Sequence, residues 1–277
     1  MNMKKNLDRS TVDSFGDEWG RFDQSELPLA EAQRIFDQYF KIFPFESLPD
    51  NSSGFDLGCG SGRWAKLICD RVGHLHCIDP SEAIEIAKLS LSDKSNITFH
   101  KKSVDEFSLP NNSQDFGYSL GVLHHVPDTG AAIKECSAML KSGAPFLMYL
   151  YYALENQSAF YKFMWKCSDV LRQIICRLPS TLKHLVTDLI AITLYFPLAK
   201  ISLLLEKYKI NVSGFPLSFY RNCSFYTMRT DSRDRFGTPL EQRFTQQEIK
   251  EFMQDAGFKD IVFNNCEPRW CVVGIKS

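Results

Sequence analysis

One stretch constrains this chain more than any other: Gly54-Phe55-Asp56-Leu57-Gly58-Cys59-Gly60-Ser61-Gly62-Arg63-Trp64. An apolar, strand-like run reaches an acid, and glycines then stand at alternate positions before a helix-like segment over 63–72. Residues without a Cβ let a backbone turn sharply and approach a ligand closely. The handover from first strand to first helix is therefore the expected ligand site. The spacing narrows the choice of ligand. A dinucleotide fingerprint needs G-x-G-x-x-G, and here the third glycine comes one residue early while Arg63 takes the diagnostic place. A Walker loop needs Gly-Lys-Ser/Thr, which the stretch lacks.

The rest of the first half alternates strand and helix signals. Strands are predicted over 53–57, 74–78, 97–101, 115–123 and 145–152, with helices over 63–72, 82–91 and 130–140. Such alternation argues for a parallel sheet with crossover helices, an α/β fold. The run 145–152 is apolar throughout, as suits the middle of a covered sheet. From 153 to 244 the alternation stops. Phe160, Phe163, Met164, Leu171, Ile174 and Ile175 recur at helical spacing, predicting a helix that Pro179 ends. A second helical stretch over 182–208 is expected to break near Pro197, and 211–237, rich in aromatics and arginines, reads as irregular. Thr245 with Glu248 makes a capping-box start for a helix over 246–256 that ends at Gly257. Strands over 261–265 and 270–275 close the chain.

Asp56-Leu57-Gly58-Cys59-Gly60-Ser61-Gly62 resembles the first motif, D/E-x-G-x-G-x-G, of the class I S-adenosylmethionine-dependent methyltransferases, in their small-molecule branch (types 11 and 12). Further motifs follow in the family's order. Cys77-Ile78-Asp79-Pro80-Ser81 places an acid at the end of the second strand, about 20 residues past the glycines, where it can accept hydrogen bonds from a ribose diol. In 102–107 the family often has an acid that contacts the adenine amino group. This chain has Ser103 there, with Val104 next and Asp105 as a substitute. The stretch 115–128, containing Leu120, Gly121 and His124-His125-Val126-Pro127, resembles the fourth-strand motif. The resemblance covers about 53–152 and 245–277 and implies a Rossmann-like, seven-stranded, mostly parallel sheet with an antiparallel terminal hairpin. It further implies S-adenosylmethionine as cofactor and S-adenosylhomocysteine as product. The implied cofactor contacts are Asp56, Gly58, Cys59, Gly60, Gly62, Arg63, Asp79, Pro80, Ser103, Val104, Leu120 and Gly121.

Methyl transfer from a sulfonium is an in-line displacement in which the protein mainly positions the acceptor. A hydroxyl acceptor also needs a base, and His124 and His125 stand beside the expected methyl group. O-methylation of a small molecule is the first expectation. C-methylation of a quinone-like or lipid-linked acceptor, and a non-catalytic paralogue that acts through its aromatic insertion, are the alternatives. Three regions are expected: a cap over 1–52, whose Phe15 and Trp19 close over the cofactor; the core over 53–152 and 245–277; and a helical acceptor lid over 153–244. Within that lid Tyr220, Arg221, Tyr226 and Arg229 are candidate acceptor contacts, because arginine forks suit carboxylate or phosphate.

Lys and Arg number 32 against 33 Asp and Glu, so no global field points to nucleic acid. Nine cysteines show no CxxC and no zinc spacing, and the polar start of the chain lacks the apolar run of a signal peptide, which predicts the cytoplasm and no metal. The apolar stretch 185–205 contains Asp188, Pro197 and Lys200, and its uninterrupted part, 189–199, falls short of the about 20 residues a spanning helix needs. A buried or groove-lining helix is expected there, compatible with contact at a membrane surface. The oligomeric state stays open.

Overall fold

The computed structural model describes residues 6–212, 214–265 and 270–277. Helices α1 (Arg9–Arg21) and α2 (Leu29–Tyr39) come first. The strands β1 (Ser53–Leu57), β2 (His74–Ile78), β3 (Ile97–His100), β4 (Phe116–Leu120) and β5 (Pro145–Tyr149) then alternate with α3 (Ala65–Ile68), α4 (Ala83–Ser90) and α5 (Thr129–Met139). Four helices follow: α6 (Ala159–Ile175), α7 (Ser180–Ile190), α8 (Phe196–Lys207) and α9 (Phe225–Gly237). The chain ends on α10 (Gln246–Asp255), β6 (Phe258–Phe263) and β7 (Cys271–Lys276). It divides into two units: Met1–Gly20, Gln33–Gln157 and Leu240–Ser277 form the first, and Arg21–Ala32 with Ser158–Pro239 the second.

The first unit holds a seven-stranded sheet of order β3-β2-β1-β4-β5-β7-β6. β1 to β5 run parallel, and β7 lies antiparallel between β5 and β6. The apolar strands predicted by composition are buried on both faces. Phe55, Met148 and Val272 join one core cluster, while Leu75, Tyr118 and Leu147 join the other. Two strand glycines make room for rings: a Cβ on Gly117, which pairs with Phe55, would lie 2.3 Å from the Phe55 ring. α10 carries the capping box, with Thr245 Oγ1 accepting from Glu248 N and Gly257 at φ 82° behind it.

Several elements are shorter than predicted; the strand expected over 145–152, for one, ends at Tyr149. The helix expected over 63–72 is only the four residues of α3 plus a 3-10 turn, Cys69–Arg71. The strand expected over 115–123 stops at Leu120, where Gly121 turns the backbone at φ 77° into a 3-10 turn, Leu123–His125. The structure also adds a pairing the sequence does not signal: Tyr152 bridges Phe244 beyond the end of β5.

The second unit corrects the sequence reading in three places. The stretch 211–237 is not irregular throughout, since Ser224 caps the 13-residue α9. α9 escapes periodicity because its buried side mixes Met228 and Phe236 with the polar Thr227, Thr230, Ser232 and Arg233. Partners hold these groups: Glu31 accepts from Thr227 Oγ1 at 2.7 Å, and Ser232 Oγ donates to the Thr187 carbonyl at 2.8 Å. The break near Pro197 is a π-helical turn, Ala191–Tyr195, that absorbs the missing proline N–H without ending the helix. The helix thus runs unbroken over Ser180–Lys207. Nor is it buried as expected: only 22% of its apolar window is covered, because Thr187, Ala191, Tyr195, Ala199 and Ser202 take the inner face. Similarly, the apolar set on α6 does not form a core face, since all but Ile175 are exposed.

Candidate functional site

A cleft opens in the first unit past the carboxyl ends of β1, β2 and β4, where strand order reverses, the usual ligand position in an open α/β sheet. It encloses about 950 Å³, its open mouth included. The glycine turn forms its floor. Gly58 N and Cys59 N both donate to the Ile78 carbonyl, at 2.7 and 3.0 Å, which ties the end of β1 to the end of β2. Gly58, Gly60 and Gly62 all have positive φ. A Cβ on Gly58 would meet Val122 at 2.3 Å, so only glycine fits.

Asp79 stands at the tip of β2, 8% exposed. One carboxylate oxygen accepts from Gly60 N at 2.9 Å, and the other from Ser81 N and Ser81 Oγ at 2.8 and 2.6 Å. Burial pushes its carboxyl above the usual range, against the pull of those donors. Pro80, Ser103 and Val104 line the same wall, and Leu120 with Gly121 the wall from β4. The Ser103 hydroxyl donates to Asp105 at 2.6 Å, and Asp105 accepts from Asn6 N at 3.1 Å. Asn6 also exchanges two hydrogen bonds with the backbone of Asp128, pinning the N-terminal segment over this end of the cleft. Phe15 and Trp19 from α1 line the cleft, and the Trp19 indole nitrogen lies 3.2 Å from where a Gly60 Cβ would be. The Arg63 guanidinium sits 4.1 Å from the Trp64 ring and 5.7 Å from that of Trp19, in reach of a cation–π contact with each.

Three of the predicted cofactor and base residues do not line the cleft. Asp56 is buried below it, its carboxylate accepting from Tyr118 Oη at 3.0 Å, and burial pushes its pKa to about 8. Gly62 packs against α4, where a Cβ would meet Leu91 at 2.8 Å. His124 is fully buried, stacked on Tyr151 at 3.8 Å, and burial holds its imidazole neutral, well below the usual range. His125 does line the cleft. Its Nδ1 lies 2.6 Å from the Leu240 carbonyl, so Nδ1 carries the proton and Nε2 the lone pair. Leu240 N in turn donates to Thr11 Oγ1 of α1, at 3.1 Å.

Tyr220, Arg221, Tyr226 and Arg229 all fall in the second unit and meet protein partners there. Arg221 pairs with Glu206 at 2.9 Å and Arg229 with Asp188 at 3.1 Å, rather than with the nearby Asp231 and Asp234. Tyr226 Oη accepts from Gln24 N at 2.9 Å, and Tyr220 packs on the Tyr195 ring at 5.0 Å. The sequence reading missed Ser61 and Asn6. Ser61 sits between two glycines and lines the cleft with a buried hydroxyl that finds no partner among the described residues. Asn6 carries no local signal at all, since its partners are 99 and 122 residues away.

Residues 55–148 match a family model described as a methyltransferase domain. This range holds the glycine turn, Asp79 and the β4 wall together. That stretch is similar to the class I S-adenosylmethionine-dependent methyltransferases. The chain is 34% identical over 91 residues to the ubiquinone biosynthesis O-methyltransferase of Saccharophagus degradans, covering 32% of this chain and 39% of that one. It is 27% identical over 121 residues to phosphoethanolamine N-methyltransferase 2 of Caenorhabditis elegans, covering 42% of this chain and 28% of the relative. The chain thus spans under half the length of these relatives. Human N-acetylserotonin methyltransferase, solved in complex with SAM, superposes with a TM-score of 0.53 over 95% of this chain and 56% of its own, at 17% identity. That likeness concerns the fold.

Three features of the cleft suit the cofactor of those methyltransferases. The glycine turn brings bare backbone to the cleft floor, a carboxylate stands at the tip of β2, and Ser61 offers an unpartnered hydroxyl to the same space.

Proposed function

We propose that this chain transfers a methyl group from S-adenosylmethionine to the oxygen of a small-molecule acceptor and releases S-adenosylhomocysteine. The observation that carries the reading is the pairing of Gly60 N with Asp79 beneath Trp19, which joins the glycine turn and the acid of the second strand in one covered cleft. In this reading Asp79 holds the ribose hydroxyls, and the backbone from Gly58 to Gly60, with Cys59 between, takes the amino-acid end. Pro80, Ser103 and Val104 bound the adenine, while Leu120 and Gly121 face the methionine part. Asp56 and Gly62 support the turn from below, and Arg63 guards its edge. The cofactor supplies an activated methyl group, and α1 excludes water from it.

Oxygen is favoured as acceptor atom by His125. Its Nδ1 proton is committed to the Leu240 carbonyl, which leaves Nε2, a buried atom of the cleft wall, as the nitrogen that would take a proton from an acceptor hydroxyl. The O-methyltransferase name of the Saccharophagus relative agrees with this choice, and the N-methyltransferase name of the nematode relative marks its alternative. Thiols on all eight described cysteines are free, in keeping with a reducing compartment.

The test is thermal unfolding with S-adenosylmethionine, S-adenosylhomocysteine or NAD, on the wild type, Asp79→Ala and His125→Gln. Saturation at 100 times the Kd stabilises by about 2.7 kcal/mol, a shift of several degrees. The two sulfur ligands should give it, NAD should not, and Asp79→Ala should abolish it. His125→Gln should keep the shift yet lower turnover of a phenolic acceptor by about 10²–10⁴-fold. A response to NAD alone would end the methyltransferase reading, and binding without any methylated product would favour a non-catalytic paralogue.

A further inference from the structure

The second unit is built inside out. Of the 21 large hydrophobic side chains exposed among the described residues, 17 lie between Phe160 and Ile210. On the helix Ser180–Lys207 the outward stripe is Leu182, Leu185, Leu189, Ile192, Phe196, Ile201 and Leu204, at spacings of three to five residues along one face. Its inward stripe contains Lys183, Thr187 and Ser202, all buried. α6 repeats the inversion, with Phe160, Phe163, Met164, Leu171 and Ile174 outside and Arg172 inside. Water-soluble helices place these classes the other way round, and contiguous apolar patches of this size mark interaction surfaces.

Charge says what covers the face. Residues 158–212 carry eight Lys and Arg against three Asp and Glu, a net +5 in a chain whose total is −1. The three acids are occupied, Asp169 by Arg172, Asp188 by Arg229 and Glu206 by Arg221. Lys166, Arg177, Lys200, Lys207 and Lys209 are exposed and make no ion pair among the described residues. The Lys200 ammonium folds over the Phe196 ring at 5.3 Å, a basic head beside an apolar anchor. An apolar stripe with basic residues beside it suits a membrane interface, where the stems enter the acyl boundary and the charges meet anionic headgroups. A second copy of the chain would set +5 against +5 across a two-fold axis, which disfavours self-association.

We propose that the outer face of α6 and the α7–α8 helix lies in the surface of an anionic lipid bilayer. The helix is about 42 Å long at 1.5 Å per residue, enough to cross a bilayer by length. Its inner face is nevertheless tied to the polar α9 through Asp188 with Arg229 and Thr187 with Ser232. Spanning would drag those arginine-rich contacts into hydrocarbon, so the helix lies in the plane of the membrane. This surface does not depend on the methyl-transfer reading.

The test is vesicle flotation of the full chain with phosphatidylcholine alone and with about 30% phosphatidylglycerol added. Two variants accompany the wild type: Leu185→Gln with Leu189→Gln and Ile192→Gln, and Lys200→Glu with Lys207→Glu and Lys209→Glu. Circular dichroism and light scattering establish that each stays folded and report its mass. The wild type should float with the anionic vesicles, and each triple variant should lose about tenfold or more in bound fraction. Failure to float with either vesicle overturns the proposal, as does flotation that neither variant weakens. A concentration-dependent dimer that the leucine variant dissociates, without flotation, would assign the face to a second copy instead.

Discussion

The two units solve opposite problems. In the first, aromatic and branched residues of the strands are sealed inside in two large apolar clusters, and the buried acids Asp79 and Asp56 stand at the cleft and just below it. In the second, five residues (Ile175, Tyr195, Ala199, Met228 and Phe236) form the buried apolar cluster, and charged and hydroxyl side chains fill much of the remaining interior. Arg172 alone binds two carbonyls and a carboxylate there. A sealed apolar interior specifies a fold through packing, whereas a polar one specifies it through hydrogen-bond geometry. The first unit thus keeps its apolar side chains inside around a cleft, and the second carries most of its large apolar side chains outside.

The sharpest way to break this contrast is a matched pair of substitutions. Phe146→Ala, in the core of the sheet, should cost about 3–5 kcal/mol in urea unfolding. Leu185→Gln, at a side chain 68% exposed, should change stability by less than about 0.5 kcal/mol in the absence of lipid. Equal losses would mean that the outer face is packed and the inversion false. Next in size, Arg172→Ala should cost about 3 kcal/mol by stranding Asp169 and the Thr238 and Pro239 carbonyls. Arg172→Met should do nearly as much harm if geometry, rather than volume, holds that interior.

A pH titration probes the first unit alone. The folded state keeps a proton on Asp56 up to about pH 8, while the unfolded chain gives it up near 3.8. Stability from this group is therefore complete below 3.8 and is lost as pH rises through 8. Unfolding midpoints should fall from pH 6 to pH 8, and Asp56→Asn should flatten that slope; an unchanged slope would show that Asp56 is ionised in the fold. The smallest effects compare two helix starts. Thr245→Ala at α10 and Ser224→Ala at α9 should each cost about 1 kcal/mol. A larger loss at Ser224 would sharpen the contrast, since Ser224 Oγ also lies 3.3 Å from Thr227 Oγ1, the hydroxyl that donates to the buried Glu31.

How much was legible follows the same divide. In the sheet, hydrophobic runs and glycine punctuation located all five parallel strands and the terminal pair; the inner strands β1, β4 and β5, buried on both faces, are the clearest. The cleft was legible at Gly58, Gly60 and Asp79, whose roles are fixed by local backbone and strand ends. Sequence could not separate His125 from His124, since adjacent residues in a 3-10 turn diverge only when Tyr151 stacks on one and Leu240 accepts from the other. Nor could it read α9, whose helix is held by polar partners from distant segments.

The sequence by itself determined the α/β alternation, the glycine turn and the acid beyond β2, because each is encoded within a few residues by backbone freedom and apolar period. Only the tertiary structure decided which side of Ser180–Lys207 faces in. Amphipathic spacing defines two stripes, but it is α9 that holds one of them inward, Arg229 pairing with Asp188 and Ser232 Oγ donating to the Thr187 main-chain carbonyl, and leaves the leucines outside.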